Sequence, residues 1–186
     1  MKLALLALLV CCLAYAKVQA QNVCVQRNSC SCVFPDKRVV DLSPLAFNNG
    51  TPRWSNLWDT YYTSRYSFNP CYNFTENNCT GVSVCRFDGV FYTNVGSQQS
   101  ASFVTNSTNG HQAIIYNSTD SSNKTRTTRV ELVCIYEGPD TLTVVGETDP
   151  NYYVRVYSHA RITLLCLAIT SPPPHGYCCT NSFSLT

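Results

Sequence analysis

The chain has 186 residues, with 13 basic side chains, 11 acidic ones and 12 cysteines, which is one domain with short extensions. Charge so nearly balanced, and scattered with no basic run, excludes nucleic acid and anionic membranes as partners. Twelve tyrosines and eight phenylalanines against a single methionine, with little helical periodicity, exclude a helical bundle and point to an all-β domain.

Residues 1–20 read as a secretory signal peptide: Lys2, an apolar run from Leu3 to Ala16, then Val18-Gln19-Ala20. Cleavage falls after Ala20, or alternatively after Ala16. Removing Lys2 and Lys17 leaves basic and acidic residues equal. No other stretch approaches the roughly 20 apolar residues of a membrane span. Cys11 and Cys12 leave with the signal, and the ten remaining cysteines, an even number in an oxidising compartment, read as disulfides. No paired CxxC occurs and the histidines are isolated, so no metal or other cofactor is expected. Six sequons, at Asn49, Asn73, Asn78, Asn106, Asn117 and Asn123, describe a glycosylated protein and mark exposed loops.

The mature chain opens with a cysteine-dense lead. Cys30 and Cys32 flank one residue, point the same way in an extended chain, and so should bond to different partners. VVDLSPLAFNNGTPRW gives a short strand and a polar turn, with Asp41 capping it. YYTSRYSFNPC (61–71) alternates as a strand ending at Pro70. Cys79 to Cys85 reads as a small loop, and RFDGVFYTNVG as two strands around the Asp88-Gly89 hairpin signal. SASFVT, HQAIIY and TRVELVCIY are further strands.

In RTTRVELVC, the alternate residues Arg126, Thr128, Val130, Leu132 and Cys134 share a face that is apolar at its far end. Arg126 therefore points inward at a strand start, where an unpaired charge is costly, and it needs a carboxylate or a ligand. In YYVRVYSHA, Tyr152 likewise opens a face shared with Val154, Val156 and Ser158. ITLLCLAIT is strand-like, with a helical turn over Leu164–Ala168 as the alternative, and SPPPHGYCCTNSFSLT is an extended or irregular tail. Many short strands with regular turn signals suggest an antiparallel barrel or sandwich. No GxSxG, HExxH or phosphate loop is present, so no enzyme is expected.

The order of motifs VDLSPL, YSFNPC, Val84-Cys85, Ile114–Tyr116, RTTRVELVC and ETDPNY resembles the mannose 6-phosphate receptor homology domain, a lectin domain of the secretory pathway, over roughly Cys24 to Cys166. The resemblance implies a flattened antiparallel β-barrel of two crossed sheets, stapled by disulfides, over residues 21–170, with 171–186 as a cysteine-containing tail. It implies a secreted or lumenal module that binds mannose-type glycans of glycoproteins. Family members hold mannose through Gln, Arg, Glu and Tyr. Arg126, Glu147 and Tyr152 match three of these, and the glutamine position is Arg86. Arginine cannot accept a hydrogen bond, so Arg86 either pairs with Glu147 and closes the pocket or favours an anionic ligand. Gln98 and Gln99 lie too far along to align, though either could swing in.

The resemblance also implies bridges Cys79–Cys85, Cys71 to Cys32 or Cys30, and Cys134–Cys166. Cys24, Cys178, Cys179 and one of the early pair remain, so the tail is expected to return to the lead. The family clip between the loop before its arginine and a cysteine two residues before its tyrosine is missing at both ends. Residues 117–125 (NSTDSSNKT) hold no cysteine, and position 150 is proline. Recognition of phosphate is not implied. Trp54 and Trp58, four apart, are either core packing or a sugar-stacking pair.

Overall fold

The structure, a computed structural model, describes residues 23–106, 110–134, 138–148 and 151–158, with only the backbone described at 134, 151 and 153–158. These residues are all-β, with thirteen strands and two single-turn 3-10 segments. The lead forms a small sheet of β1 (Val25–Gln26), β2 (Ser31–Val33) and β3 (Val39–Asp41). Asp41 accepts hydrogen bonds from the backbone and hydroxyl of Ser43, which caps the turn after β3.

One main sheet contains β4 (Trp54–Trp58), β5 (Arg65–Phe68), β6 (Phe74–Glu76), β7 (Cys79–Phe87) and β8 (Tyr92–Ser97). β8 lies along one side of β7; on the other, β6 covers its first half and β5 its second. The second main sheet contains β9 (Ser102–Thr105), β10 (Gln112–Thr119), β11 (Thr125–Cys134), β12 (Thr141–Thr148) and β13 (Asn151–Ser158), in the order β12-β13-β11-β10-β9. β13 turns back antiparallel along β12 and inserts beside β11, so the β11–β13 pair is parallel. The expected all-antiparallel barrel is corrected in two respects: this one pair is parallel, and the two main sheets do not close into a single hydrogen-bonded cylinder.

The sheets meet across a shared apolar core. Tyr66, Phe68, Val84, Ile114, Tyr116, Val130 and Tyr152 are all buried there. Phe68 packs edge-on against Tyr116 and Tyr66 against Tyr152. The buried Thr128 hydroxyl donates to the Val95 carbonyl at 2.6 Å, tying β11 to β8. Gly96 lets β8 approach closely, since a Cβ there would lie 2.8 Å from Tyr116 Cβ and 3.0 Å from a Val84 methyl. A lone bridge between Asp59 and Val144 joins the sheets at one end.

Several local readings are revised. Residues 61–64 are a turn, and β5 starts at Arg65. The Asp59 carboxylate gathers the backbone N–H groups of Tyr61, Thr63 and Ser64, which coils the chain before the strand begins. Cys79 and Cys85 lie within one strand, bent at Gly81 with φ +67°. The β7–β8 connection spans 88–91, where Asp88 accepts from the backbone of Val90 and Phe91. Asn117, expected in a loop, sits inside β10 and accepts a hydrogen bond from the Thr127 hydroxyl across the ladder. β1, β2, β4, β6 and β12 have no counterpart among the expected strands.

Three disulfides are present among the described residues: Cys24–Cys32, Cys30–Cys71 and Cys79–Cys85. Cys30 and Cys32 thus bond to different partners. The expected return of the tail to Cys24 is corrected, since the lead closes on itself through Cys24–Cys32. The Cys134–Cys166 pairing, Cys178, Cys179, and the ITLLCLAIT strand lie outside the described residues.

Candidate functional site

Residue alternation along β11 buries Thr128, Val130 and Leu132 and leaves Thr127, Arg129 and Glu131 half-exposed. Arg126 lies on the buried parity at the strand start. The carboxylate it needs comes from the adjoining turn: Arg126 Nη1 donates to Asp120 Oδ2 at 2.6 Å. Asp120 also accepts from the backbone and hydroxyl of Ser122 and from the backbone of Lys124. Those hydrogen bonds, the Ser122 hydroxyl first and Arg126 next, hold its carboxyl far below the usual range. One carboxylate therefore fixes both the β10–β11 turn and the arginine.

Tyr152 starts β13, opposite Thr128 on one side and Glu147 on the other. Its ring is buried, and its hydroxyl donates to Glu147 Oε1 at 3.0 Å. Burial, then the neighbouring Glu147, pushes this phenol up to about 12. Arg126 also interacts with the Tyr152 hydroxyl.

Glu147 reaches this face through an irregularity. Leu142 and Val144 point inward, so strict alternation would turn Glu147 outward. The register shifts between Val144 and Gly146, and Glu147 comes opposite Tyr152 instead. A one-residue bulge of this kind flips every later side chain to the other face. Gly146, at φ +127°, has the backbone freedom for it and leaves room for Tyr61 and Asp59 above.

Arg86 completes the group from the facing sheet. It sits on β7 opposite Tyr66 of β5. Its Nη2 lies 3.3 Å from Glu147 Oε2, its Nη1 3.8 Å from Asp88 Oδ2, and its Nε donates to the Ser64 hydroxyl at 3.1 Å. The structure therefore brings Arg86, Arg126, Glu147 and Tyr152 together at the junction of the two main sheets. Of the two arrangements open to Arg86, the pairing with Glu147 is the one present. The cluster holds two guanidinium groups and three carboxylates, Asp88, Asp120 and Glu147.

Neither glutamine swings in. Gln98 is buried and accepts from the Ser83 hydroxyl, and Gln99 accepts from the Ser97 hydroxyl. Asn69 of the YSFNPC motif is structural: its amide bonds the backbone of Phe47 in both directions and the Tyr72 carbonyl. Trp54 stacks on Phe68 as core packing, whereas Trp58 is exposed. Asp120 and Ser64 were not among the residues singled out from the sequence. The acid in a short polar turn six residues before a buried-parity arginine was the available signal for Asp120.

No protein-family model matches the chain, and neither does any curated protein. Among solved structures, chicken IGF2R domain 11 superposes with a TM-score of 0.55 at 14% identity, covering 72% of this chain and 93% of that one. The MRH domain of Yos9, solved in complex with alpha3,alpha6-Man5, gives a TM-score of 0.38 at 16% identity, covering 57% of this chain and 75% of its own. The fold is similar to that of chicken IGF2R domain 11.

Proposed function

We propose that this chain is a glycan-binding module of the secretory pathway, secreted or lumenal. Its site is built from Arg126, Glu147 and Tyr152, with Arg86 resting on Glu147 when no sugar is bound. The observation that supports this reading is the convergence of the Tyr152 hydroxyl on Glu147 beside Arg126, three groups from three strands at one end of the core. Together they can donate to and accept from vicinal hydroxyls. The surplus of carboxylates suits neutral, mannose-type glycans of glycoproteins, with no strong preference for a phosphorylated sugar. No chemistry on the ligand is proposed.

A second reading has its own observation. Arg86, Arg126, Glu147 and Tyr152 each already have a protein partner, as in a pocket emptied of function, with the fold serving as a protein-interaction or structural module. A glycan array probed with the mature, disulfide-intact protein and with Arg126→Ala separates the two. Binding to neutral mannose-type glycans that Arg126→Ala abolishes is the expected result. A blank array for the wild type would favour the emptied pocket.

A further inference from the structure

Asp59 follows β4 where the two main sheets meet, opposite Val144 of β12. The residue is 2% exposed, and its carboxylate accepts from four donors: the backbone N–H groups of Tyr61, Thr63 and Ser64, and the Thr63 hydroxyl. A buried carboxylate that gathers donors from its own turn fixes the shape of that turn. Tyr62 within it is held at φ 57°, a conformation that a bulky residue keeps only where its surroundings enforce it.

Two arms reach from this turn to the Arg86–Glu147 pair. The first is Ser64, a buried residue whose backbone N–H donates to Asp59 Oδ2 at 3.1 Å. Its hydroxyl accepts from Arg86 Nε at 3.1 Å and so sets the guanidinium whose Nη2 lies 3.3 Å from Glu147 Oε2. The second is Thr60. Its backbone N–H donates to the Val144 carbonyl at 3.0 Å, and its hydroxyl donates to the Val145 carbonyl. Those are the two carbonyls just before Gly146, where the register shifts and Glu147 is brought opposite Tyr152. A Cβ at Gly146 would lie 3.5 Å from the Tyr61 ring and 3.6 Å from Asp59 Cβ, so the bulge packs directly on the turn.

We propose that Asp59 is a positioning residue of the site, the centre of a bracket that sets both members of the Arg86–Glu147 pair. The Ser64 arm keeps Arg86 resting on Glu147. The Thr60 arm keeps Glu147 turned toward Tyr152. The inference rests on the reading of this cluster as a sugar site, and it adds what controls access to that site. The two arms act on a sugar with opposite signs. Loosening the first releases the group that covers Glu147. Loosening the second misplaces the carboxylate that the sugar needs.

The test combines two measurements on the mature, disulfide-intact chain. Calorimetry gives mannose affinity, and NMR gives the exchange of the Arg86 Nε–H with water, its signal assigned by its loss in Arg86→Gln. Ser64→Ala should speed that exchange about two- to tenfold and raise mannose affinity by a similar factor, the worth of one hydrogen bond. The gain should be absent in an Arg86→Gln background. Thr60→Val should lower the affinity about two- to tenfold, and the loss should persist in that background, because it acts through Glu147. Asp59→Asn should speed the Arg86 exchange and bind mannose more weakly than Ser64→Ala does; should it not fold, the two arm variants carry the test. The Nε–H of Arg129, which faces Glu131 at 3.6 Å, should be unchanged throughout and controls for general loosening. Affinity changes of the same sign in Ser64→Ala and Thr60→Val overturn the proposal, as does unchanged Arg86 exchange in Ser64→Ala. If no variant binds mannose, Arg86→Gln included, the sugar reading fails and exchange alone decides the bracket. Faster Arg86 exchange with Arg129 unchanged then supports it, and equal acceleration of both overturns it.

Discussion

Replacing Arg86 by glutamine tests the most unusual feature of the cluster, a guanidinium lying where a sugar-accepting group would be useful. The side chain makes one ion pair at 3.3 Å with Glu147, a longer one at 3.8 Å with Asp88, and one neutral hydrogen bond to Ser64. The Arg86 and Glu147 side chains are 21% and 31% exposed, so their attraction is partly screened and is worth about 1 kcal/mol or less. The fold should therefore survive, with a stability change of about that size. Sugar binding should change far more. In the wild type a ligand must first displace Arg86 from Glu147. In Arg86→Gln the carboxylate is free to accept a hydroxyl, and the new amide can both donate and accept. One regained charge-assisted hydrogen bond, at about 1.5–3 kcal/mol, raises mannose affinity roughly tenfold to a hundredfold.

Calorimetry of mannose and mannose 6-phosphate against wild type, Arg86→Gln, and Arg86→Gln with Arg126→Ala provides the measurement. The gain should appear in the single variant and vanish in the double. A folded Arg86→Gln protein with unchanged mannose affinity would refute the argument that the pair closes the site. Tight binding of mannose 6-phosphate by the wild type would refute the charge argument, since it would require Arg86 to read the phosphate despite three nearby carboxylates.

Two further outcomes follow from the covalent and ionic frame. Replacing Cys30 and Cys71 together by serine should cost about 4 kcal/mol in non-reducing urea unfolding, from opening a sequence separation of 41. Peptide mapping should still return the Cys24–Cys32 pair, and Cys24 bonded to the tail would contradict the lead described above. The Asp120 carboxyl is held below its ordinary 3.8, so its contribution is present above that value and is lost as pH falls through the lower folded value. Trypsin cleavage at Lys124 and Arg126 should accelerate in Asp120→Asn at neutral pH. NMR of the wild-type turn should show it loosening only below about pH 4, a transition missing from the variant.

Period-two alternation was enough to place Arg126 and Tyr152 at the starts of buried faces, because both strands are long and apolar at one end. It could not place Glu147. Inward parity at Leu142 and Val144 predicts the opposite face for residue 147, and only the bulge before Gly146 reverses it. A lone glycine in a strand pattern hints at a bulge without giving its register. Residues 61–64 misled for a similar reason: their alternation is real, but Asp59 offers the backbone a competing set of acceptors, and local side-chain bonds can defeat a strand.

Asp120 bears on the missing clip. The resemblance implied a disulfide tethering the loop before the arginine, and both of its cysteines are absent here. The structure holds the same loop through one carboxylate that accepts from Ser122, Lys124 and Arg126. A disulfide fixes the loop but leaves the arginine uncommitted, whereas Asp120 fixes both and occupies a donor that a sugar would otherwise receive. Arg86 similarly occupies Glu147. Both departures act in the same direction: each satisfies a charge of the proposed sugar site from within the protein. The ligand-free site is thereby stabilised, and any sugar that binds must compete with two internal ion pairs. That competition predicts weak intrinsic affinity for a single sugar. Useful avidity would then have to come from contacts made along a longer glycan chain.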